Sequence, residues 1–373
     1  MLVLAAATLA GMVVLWPGDV EETLAGNLAN DSVKAEVQSV EEVPCPAYSG
    51  EGCQLARARL ESGRVVAVPL SNGKLDPDLD AGDDILVTEA PAPRGTPEIA
   101  GTGWALYDFQ RGTPMLLLAG LFVLVVLAFA RLKGALSLAG LGVSLLIVVV
   151  FVVPAILDGK PPLAVAITGS IAIALVTIPL AHGIRAKSIA AILGTCASLL
   201  LTALLAVLFT DLTHLTGFSS EEATYLQLGG EDLSLQGLLL AGMVIAALGV
   251  LDDVTITQAS TVMALRSADP SLRFRELVSA AMRVGRDHVS ATVNTLVLAY
   301  AGAALPVLLI FSASDLGAGQ VVNLELVAKE IVGTLVGSIG LIAAVPITTL
   351  LAAGLALSAP PGDPAPGEPV HVH

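Results

Sequence analysis

Two adjacent carboxylates, Asp252 and Asp253, directly follow the apolar run 235–251. Ionisable side chains at membrane depth are costly and usually functional. Two like charges side by side favour a shared proton or a bound cation. Hydroxyl and amide groups that can bond a carboxylate follow at Thr255, Thr257 and Gln258. The stretch therefore predicts a proton or cation site. The alternative is that the helix reaches water near Leu251 and the pair caps its cytoplasmic end.

Two further polar positions lie in later apolar runs. Asn294 is expected at a depth similar to that of the aspartates and is a candidate to face them, although Asn also serves as a contact between membrane helices. Glu330 begins a polar stripe that continues at Thr334 and Ser338, at helical spacing. This stripe is a second candidate path. Alternatively, Glu330 and Lys329 are an interfacial pair at the membrane edge.

The composition is that of a membrane protein. The chain has 373 residues, of which 55% are hydrophobic and 14% charged, and the mean hydropathy is +0.82. A soluble domain carries about 25% charged residues. Spans need roughly 17–25 residues. The candidate spans are 1–16, 114–131, 135–157, 163–181, 188–210, 235–255, 289–312 and 327–354. We expect an α-helical polytopic membrane protein of about eight spans, with seven helices in a membrane domain over 113–355.

Charge sets the expected orientation. Lys and Arg follow the second, fourth and sixth spans, whereas the alternate loops are poor in them. Basic loops are cytoplasmic. We therefore expect an inner-membrane protein of bacteria with both termini cytoplasmic and residues 18–112 outside. Residues 1–17 are a signal anchor or a signal peptide. Most of the net charge of −15 lies in 18–112, which argues against a nucleic-acid partner.

Residues 18–112 are predicted to form a small all-β domain outside the membrane. Alternating stretches are separated by turn signals such as Ser62-Gly63, which indicates four or five antiparallel strands, resembling an OB-fold. The domain is expected to bind a ligand or to dock an extracytoplasmic protein partner. Cys45 and Cys53 fit a short-loop disulfide, and unpaired thiols or weak metal ligands are the alternatives.

Two segments flank the last predicted spans. Residues 270–287 are predicted to form a basic amphipathic helix that begins at Asp269-Pro270 and lies at the surface of the lipid bilayer. Residues 356–373 form a Pro- and Gly-rich cytoplasmic tail that is expected to be disordered. No motif of an enzyme or of a cofactor site is present, so we expect neither catalysis nor a cofactor. The sequence leaves open whether a metal binds.

Several blocks together resemble the YibE/F-like family of bacterial membrane proteins. They are 248–258, which contains the aspartate pair, 283–300, 330–340 followed by 345–349, and 154–159. The resemblance extends over the chain from the β segment onward. It implies a multi-spanning inner-membrane protein with an extracytoplasmic domain, and it carries no catalytic role.

Two functions follow as expectations. The preferred one is an ion- or proton-coupled transporter or permease in which Asp252 and Asp253 form the coupling site. The alternative is a membrane scaffold that does not transport. Its outer β domain docks a partner, and the aspartate pair forms ion pairs with Arg283 and Arg286. A cavity that reaches the carboxylates favours the first, and a direct contact with an arginine favours the second.

Overall fold

The structure is a computed structural model that describes residues 1–18, 32–43, 53–70, 77–89, 103–219, 233–313 and 316–358. The chain divides into two compact units. One comprises Glu21–Phe129, and the other comprises Met1–Val20 together with Ala130–His373.

The smaller unit contains a five-stranded antiparallel half-barrel sheet. Its strands are β1 Ser32–Val43, β2 Cys53–Leu60, β3 Val65–Leu70, β4 Asp84–Glu89 and β5 Trp104–Phe109. Their order is β3-β2-β1-β4-β5. Alternate residues such as Val66 and Val68 in β3 are buried, as period-2 patterning requires. The predicted β domain is thus present, and its OB-like character stays a prediction.

A tight turn connects β2 to β3, where the sequence has Glu61-Ser62-Gly63. Gly63 has a φ of 82°, a conformation that glycine adopts without steric cost. The Leu60 amide donates to the Arg64 carbonyl over 2.9 Å and closes the turn. The turn signal in the sequence therefore fixes the register in which Ala58 faces Val66.

Helices make up nearly all of the described part of the larger unit. They are α1 Leu2–Val14, α2 Gly112–Leu157 (which begins in the smaller unit), α3 Pro162–His182, α4 Ala186–Leu212, α5 Leu235–Ala268, α6 Phe274–Ala303, α7 Leu305–Ser312, α8 Ala318–Asn323 and α9 Glu325–Ser358. Five of them, α2 to α5 and α9, are long and apolar enough to cross a membrane, and α6 with α7 makes a sixth if this bent pair is one span.

The predicted count of about eight spans is not confirmed. Helix α2 covers two predicted spans in 46 residues, which would reach about 69 Å at 1.5 Å per residue, more than twice the thickness of a bilayer core. Arg131 interrupts it with non-helical angles, φ 51° and ψ −128°. Helix α1 is an apolar helix of 13 residues, shorter than the roughly 17–25 residues of a typical span.

Three helices form the centre of the larger unit. Helices α4, α5 and α9 pack against one another, with α3 against α4 and α5, and α6 against α5 and α9. Small residues permit the close approach of α4 and α9: a methyl group added at Gly194 would collide with Thr348, and one at Gly340 with Thr202. Such small-residue contacts are typical of helix packing in membranes.

Helix α6 differs from the predicted basic helix at 270–287. Asp269 terminates α5 and does not cap α6, because its carboxylate accepts hydrogen bonds from the amide and hydroxyl of Ser271. Helix α6 begins at Phe274, where the Arg273 amide donates to Glu276 Oε2 over 2.9 Å. It then continues without a break to Ala303, so the basic segment and the apolar run that follows form one helix.

Candidate functional site

A polar cavity of about 260 Å³ lies between α2, α3 and α5. Both aspartates of the pair line it. Its other polar walls are Ser137, Ser144, Thr177 and His182. Ser137 and Ser144 are seven residues apart on α2 and therefore share a helix face. The cavity thus collects two carboxylates, an imidazole and three hydroxyls in one space.

Helix α5 places the carboxylates in its middle. It runs unbroken from Leu235 to Ala268, and the Ser234 hydroxyl caps its start by accepting from the Gly237 amide over 3.0 Å. Asp252 therefore lies about 25 Å from either end at 1.5 Å per residue. The helix does not end near Leu251, so the alternative that the pair caps a helix end is wrong.

Asp252 is partly buried and lacks a full set of hydrogen bonds. Its Oδ1 atom is buried and has no hydrogen-bond partner among the described residues. The Thr177 side chain interacts with the carboxyl, although the Thr177 hydroxyl donates to the Ile173 carbonyl over 2.9 Å. Asp253, the next residue, is exposed. A buried oxygen without a donor attracts a proton, a cation or a water molecule.

The arginines named by the scaffold alternative do not reach the pair. Arg283 and Arg286 are exposed on α6, and no ion pair within the described ranges joins either of them to Asp252 or Asp253. The cationic groups that act electrostatically on this region are lysines: Lys133 and Lys187 both influence His182, as does Asp253. The carboxylates thus face a cavity and not a direct arginine contact.

Thr255 and Gln258 are buried and hold helices together. The hydroxyls of Thr255 and Thr195 are 2.7 Å apart and join α5 to α4. The Gln258 amide donates to the Ala281 carbonyl over 3.1 Å and to Thr349 Oγ1 over 2.7 Å, so it joins α5 to both α6 and α9. Of the residues predicted around the aspartates, these two are contacts within the bundle and not walls of the cavity.

The other predicted site residues lie elsewhere. Thr257 is half-buried and Asn294 exposed, and neither lines the cavity. Glu330 lines a different cavity with Thr334, whose hydroxyl donates to the Glu330 carbonyl over 2.6 Å. Two members of the predicted polar stripe, Glu330 and Thr334, therefore line a cavity to which neither aspartate belongs. The walls that sequence reasoning missed are the polar residues of α2 and α3, Ser137, Ser144, Thr177 and His182.

Metal ligands and thiols were the other candidates for a chemical site in the described parts of the chain. No group there of three or more His, Cys, Asp or Glu side chains could hold a metal ion. Cys196 is buried in α4 as a free thiol. The predicted Cys45–Cys53 disulfide falls outside the described residues, because Cys45 is not among them.

Comparison with known proteins identifies a family but no individual relative. No curated protein and no solved structure matches the chain. The profile of the YibE/F-like proteins matches residues 118–357, which include the cavity walls, the aspartate pair and all of α9 except its last residue. The match covers more than half of the chain and confirms the resemblance carried by the aspartate block. The chain therefore belongs to the YibE/F-like family, and its apolar helices make it a membrane protein.

Proposed function

We propose that this protein is a proton- or cation-coupled membrane transporter and that Asp252 and Asp253 form its coupling site. The observation that carries the proposal is the buried Asp252 Oδ1, which has no hydrogen-bond partner among the described residues although its carboxyl lines a polar cavity. Carboxylates at such positions in membrane helices mark ion paths and proton relays.

Energetics support a titrating or cation-binding role. An ionised aspartate costs about 2.5–3.5 kcal/mol on insertion scales at the centre of a spanning helix, and less towards its ends, where the predicted span 235–255 places the pair. A bound proton or cation removes most of that cost, as does hydration. The cavity of about 260 Å³ has room for several waters at about 30 Å³ each. Loading and unloading of the pair is therefore possible without unfolding the helix.

His182 gives the cavity a second exchangeable group. It ends α3 and lines the same space as the aspartates. Imidazole gains and loses a proton in the physiological range, which suits it to pass protons to and from a carboxylate. In this proposal His182 connects the aspartate pair to the end of α3, close to Lys187.

The experiment uses the full chain in liposomes that contain a pH-sensitive dye, with an imposed pH gradient and a potassium diffusion potential. We expect proton flux above that of protein-free liposomes, and a loss of at least about tenfold in Asp252→Asn. Asp287→Asn is the matched control, since Asp287 is exposed on α6 outside the cavity. Parallel experiments with sodium or potassium gradients test whether the coupling ion is one of these cations. Wild-type rates in both Asp252→Asn and Asp253→Asn would refute the site.

We also propose the orientation that the basic loops favour: a bacterial inner membrane, both termini cytoplasmic and the half-barrel sheet, with its proposed OB-like fold, outside. The clustering of Lys and Arg after alternate apolar runs supports it. A fluorescent protein that matures only in the cytoplasm, fused to the C-terminus, should fluoresce. A dark fusion that is present in the membrane contradicts this orientation.

A further inference from the structure

A second and larger cavity lies far along the chain from the aspartate pair, between α6, α7 and α9. Helices α6 and α7 are bent by 61° relative to each other at Ala304. The start of α9 lines the same space, as do Val321 and Val322 of α8. The space measures about 610 Å³, within the range of sites for small molecules, and it is partly open, since walls such as Leu308 and Leu335 are exposed.

The walls of this cavity are almost entirely apolar. Val297 and Ala301 line it from α6, Leu308 from α7, and Ile331 and Leu335 from α9. An apolar space of this size takes a bulky hydrophobic ligand, because burial of apolar surface is the main gain on binding. The few polar groups then decide which hydrophobic ligand fits.

Glu330 supplies the charge in this space. Within the described ranges it forms no ion pair, and the neighbouring Lys329 is not bonded to it. Tyr300 lies close enough to interact electrostatically with the carboxylate. The Thr334 hydroxyl is already used, since it donates to the Glu330 carbonyl. The cavity therefore presents one carboxylate that forms no ion pair with any residue that the structure describes.

Two aromatic residues also lie in the wall of this cavity. Tyr300 and Phe311 both line the cavity with the Glu330 carboxylate. A carboxylate beside aromatic side chains in an apolar space can attract organic cations through charge, and through cation–π attraction where a ring face meets the ligand. Neither group favours an anionic ligand.

We propose that this cavity is a binding site for a hydrophobic organic cation, such as a quaternary ammonium or phosphonium ion with bulky apolar groups. The apolar walls enclose its hydrocarbon groups, and Glu330 balances its charge. A lipid acyl chain would fill the walls but leave the carboxylate unbalanced, and an anionic head group would be repelled. The site shares no wall with the aspartate cavity, so it does not depend on the transport proposal.

The test measures binding of tetraphenylphosphonium by equilibrium dialysis. The full chain is placed in nanodiscs of zwitterionic lipid, and protein-free nanodiscs give the partition background. We expect saturable binding to the wild type above that background. Glu330→Gln should weaken it at least about tenfold, because the charge is lost while the shape is kept. Glu330→Asp should retain most of the binding, which also shows that the site tolerates substitution.

Two controls separate charge from shape. Ala301→Trp fills the cavity without changing its charge and should weaken binding, whereas Asp287→Asn, outside it, should not. Tetraphenylborate has a similar shape and the opposite charge, and it should not compete. Competition by tetraphenylborate, or equal binding to Glu330→Gln, would show a lipid-facing groove without cation selectivity and overturn the proposal. Failure to exceed the nanodisc background would overturn it as well.

Discussion

Replacement of Gly285 by alanine tests how α6 is held against the centre of the larger unit. Gly285 belongs to a buried stripe on α6 with Leu277 and Ala281. A Cβ atom at this position would lie 2.5 Å from Val345 Cγ1 and 2.9 Å from Gln258 Oε1. Both neighbours are nearly fully buried, so neither side chain has free space into which it can move. The methyl group therefore pushes α6 away from α5 and α9.

The magnitude follows from two opposed effects. Overpacking of a closely packed core costs about 1–3 kcal/mol. Alanine is the better helix former by about 0.8–1.0 kcal/mol, which offsets part of that cost. We expect Gly285→Ala to destabilise the protein by up to about 2 kcal/mol. Gly242→Ala is the matched control, because Gly242 lies inside α5 with nothing within 4 Å of an added Cβ.

The assay is reversible unfolding in mixed micelles with increasing denaturing detergent. The difference between the two variants isolates the overpacking, at about 1–3 kcal/mol. A second substitution, Val345→Ala, should remove the main collision, so that the double variant is less destabilised than the sum of the single ones. Equal stability of Gly285→Ala and Gly242→Ala would refute the close approach of these helices.

Two more predictions concern polar contacts at the ends of helices. A hydrogen bond from the Gly18 amide, 3.1 Å, with help from a neighbouring lysine, lowers the pKa of Asp158. The contribution of this contact to the free energy of unfolding is therefore present above about pH 4 and is lost as the pH falls through the lowered pKa. Acid unfolding of the wild type should show this loss, and acid unfolding of Asp158→Asn should not. The Glu325 carboxylate accepts hydrogen bonds from the amide of Thr216 over 2.9 Å and from the amide of Gly217 over 2.6 Å. Loss of its charge in Glu325→Gln should weaken both bonds and speed hydrogen exchange at both amides. Unchanged exchange would contradict the contact.

The apolar runs predicted most helices, but not where they end. The predicted span that corresponds to α5 ended at 255. The helix instead continues to Ala268, since α4 and α6 supply partners for Thr255 and Gln258. Hydropathy measures the free energy of moving a side chain from water into lipid. Thr255 and Gln258 are instead buried in the protein interior, where they form hydrogen bonds. Tertiary contacts therefore extend the helix beyond the predicted end.

The aspartate pair could be identified from sequence, whereas the walls around it could not. Ser144 and Thr177 are single polar residues in apolar runs, and each also donates to the carbonyl four residues earlier. Such bonds are common in helices and mark no site. That both residues face Asp252 depends on how α2 and α3 pack against α5, which periodicity within one helix does not encode.

Asp252 and Gln258 lie on the same helix but differ in their hydrogen-bond partners. Gln258 is buried, and its amide has two partners on neighbouring helices. Six residues earlier, Asp252 keeps a buried oxygen without a partner among the described residues, beside a cavity. Ser198 is also buried without a partner, but a neutral hydroxyl costs far less than a carboxylate. Helix packing satisfies the Gln258 amide, so the Asp252 oxygen without a partner supports the proposal that an exchangeable ligand binds there.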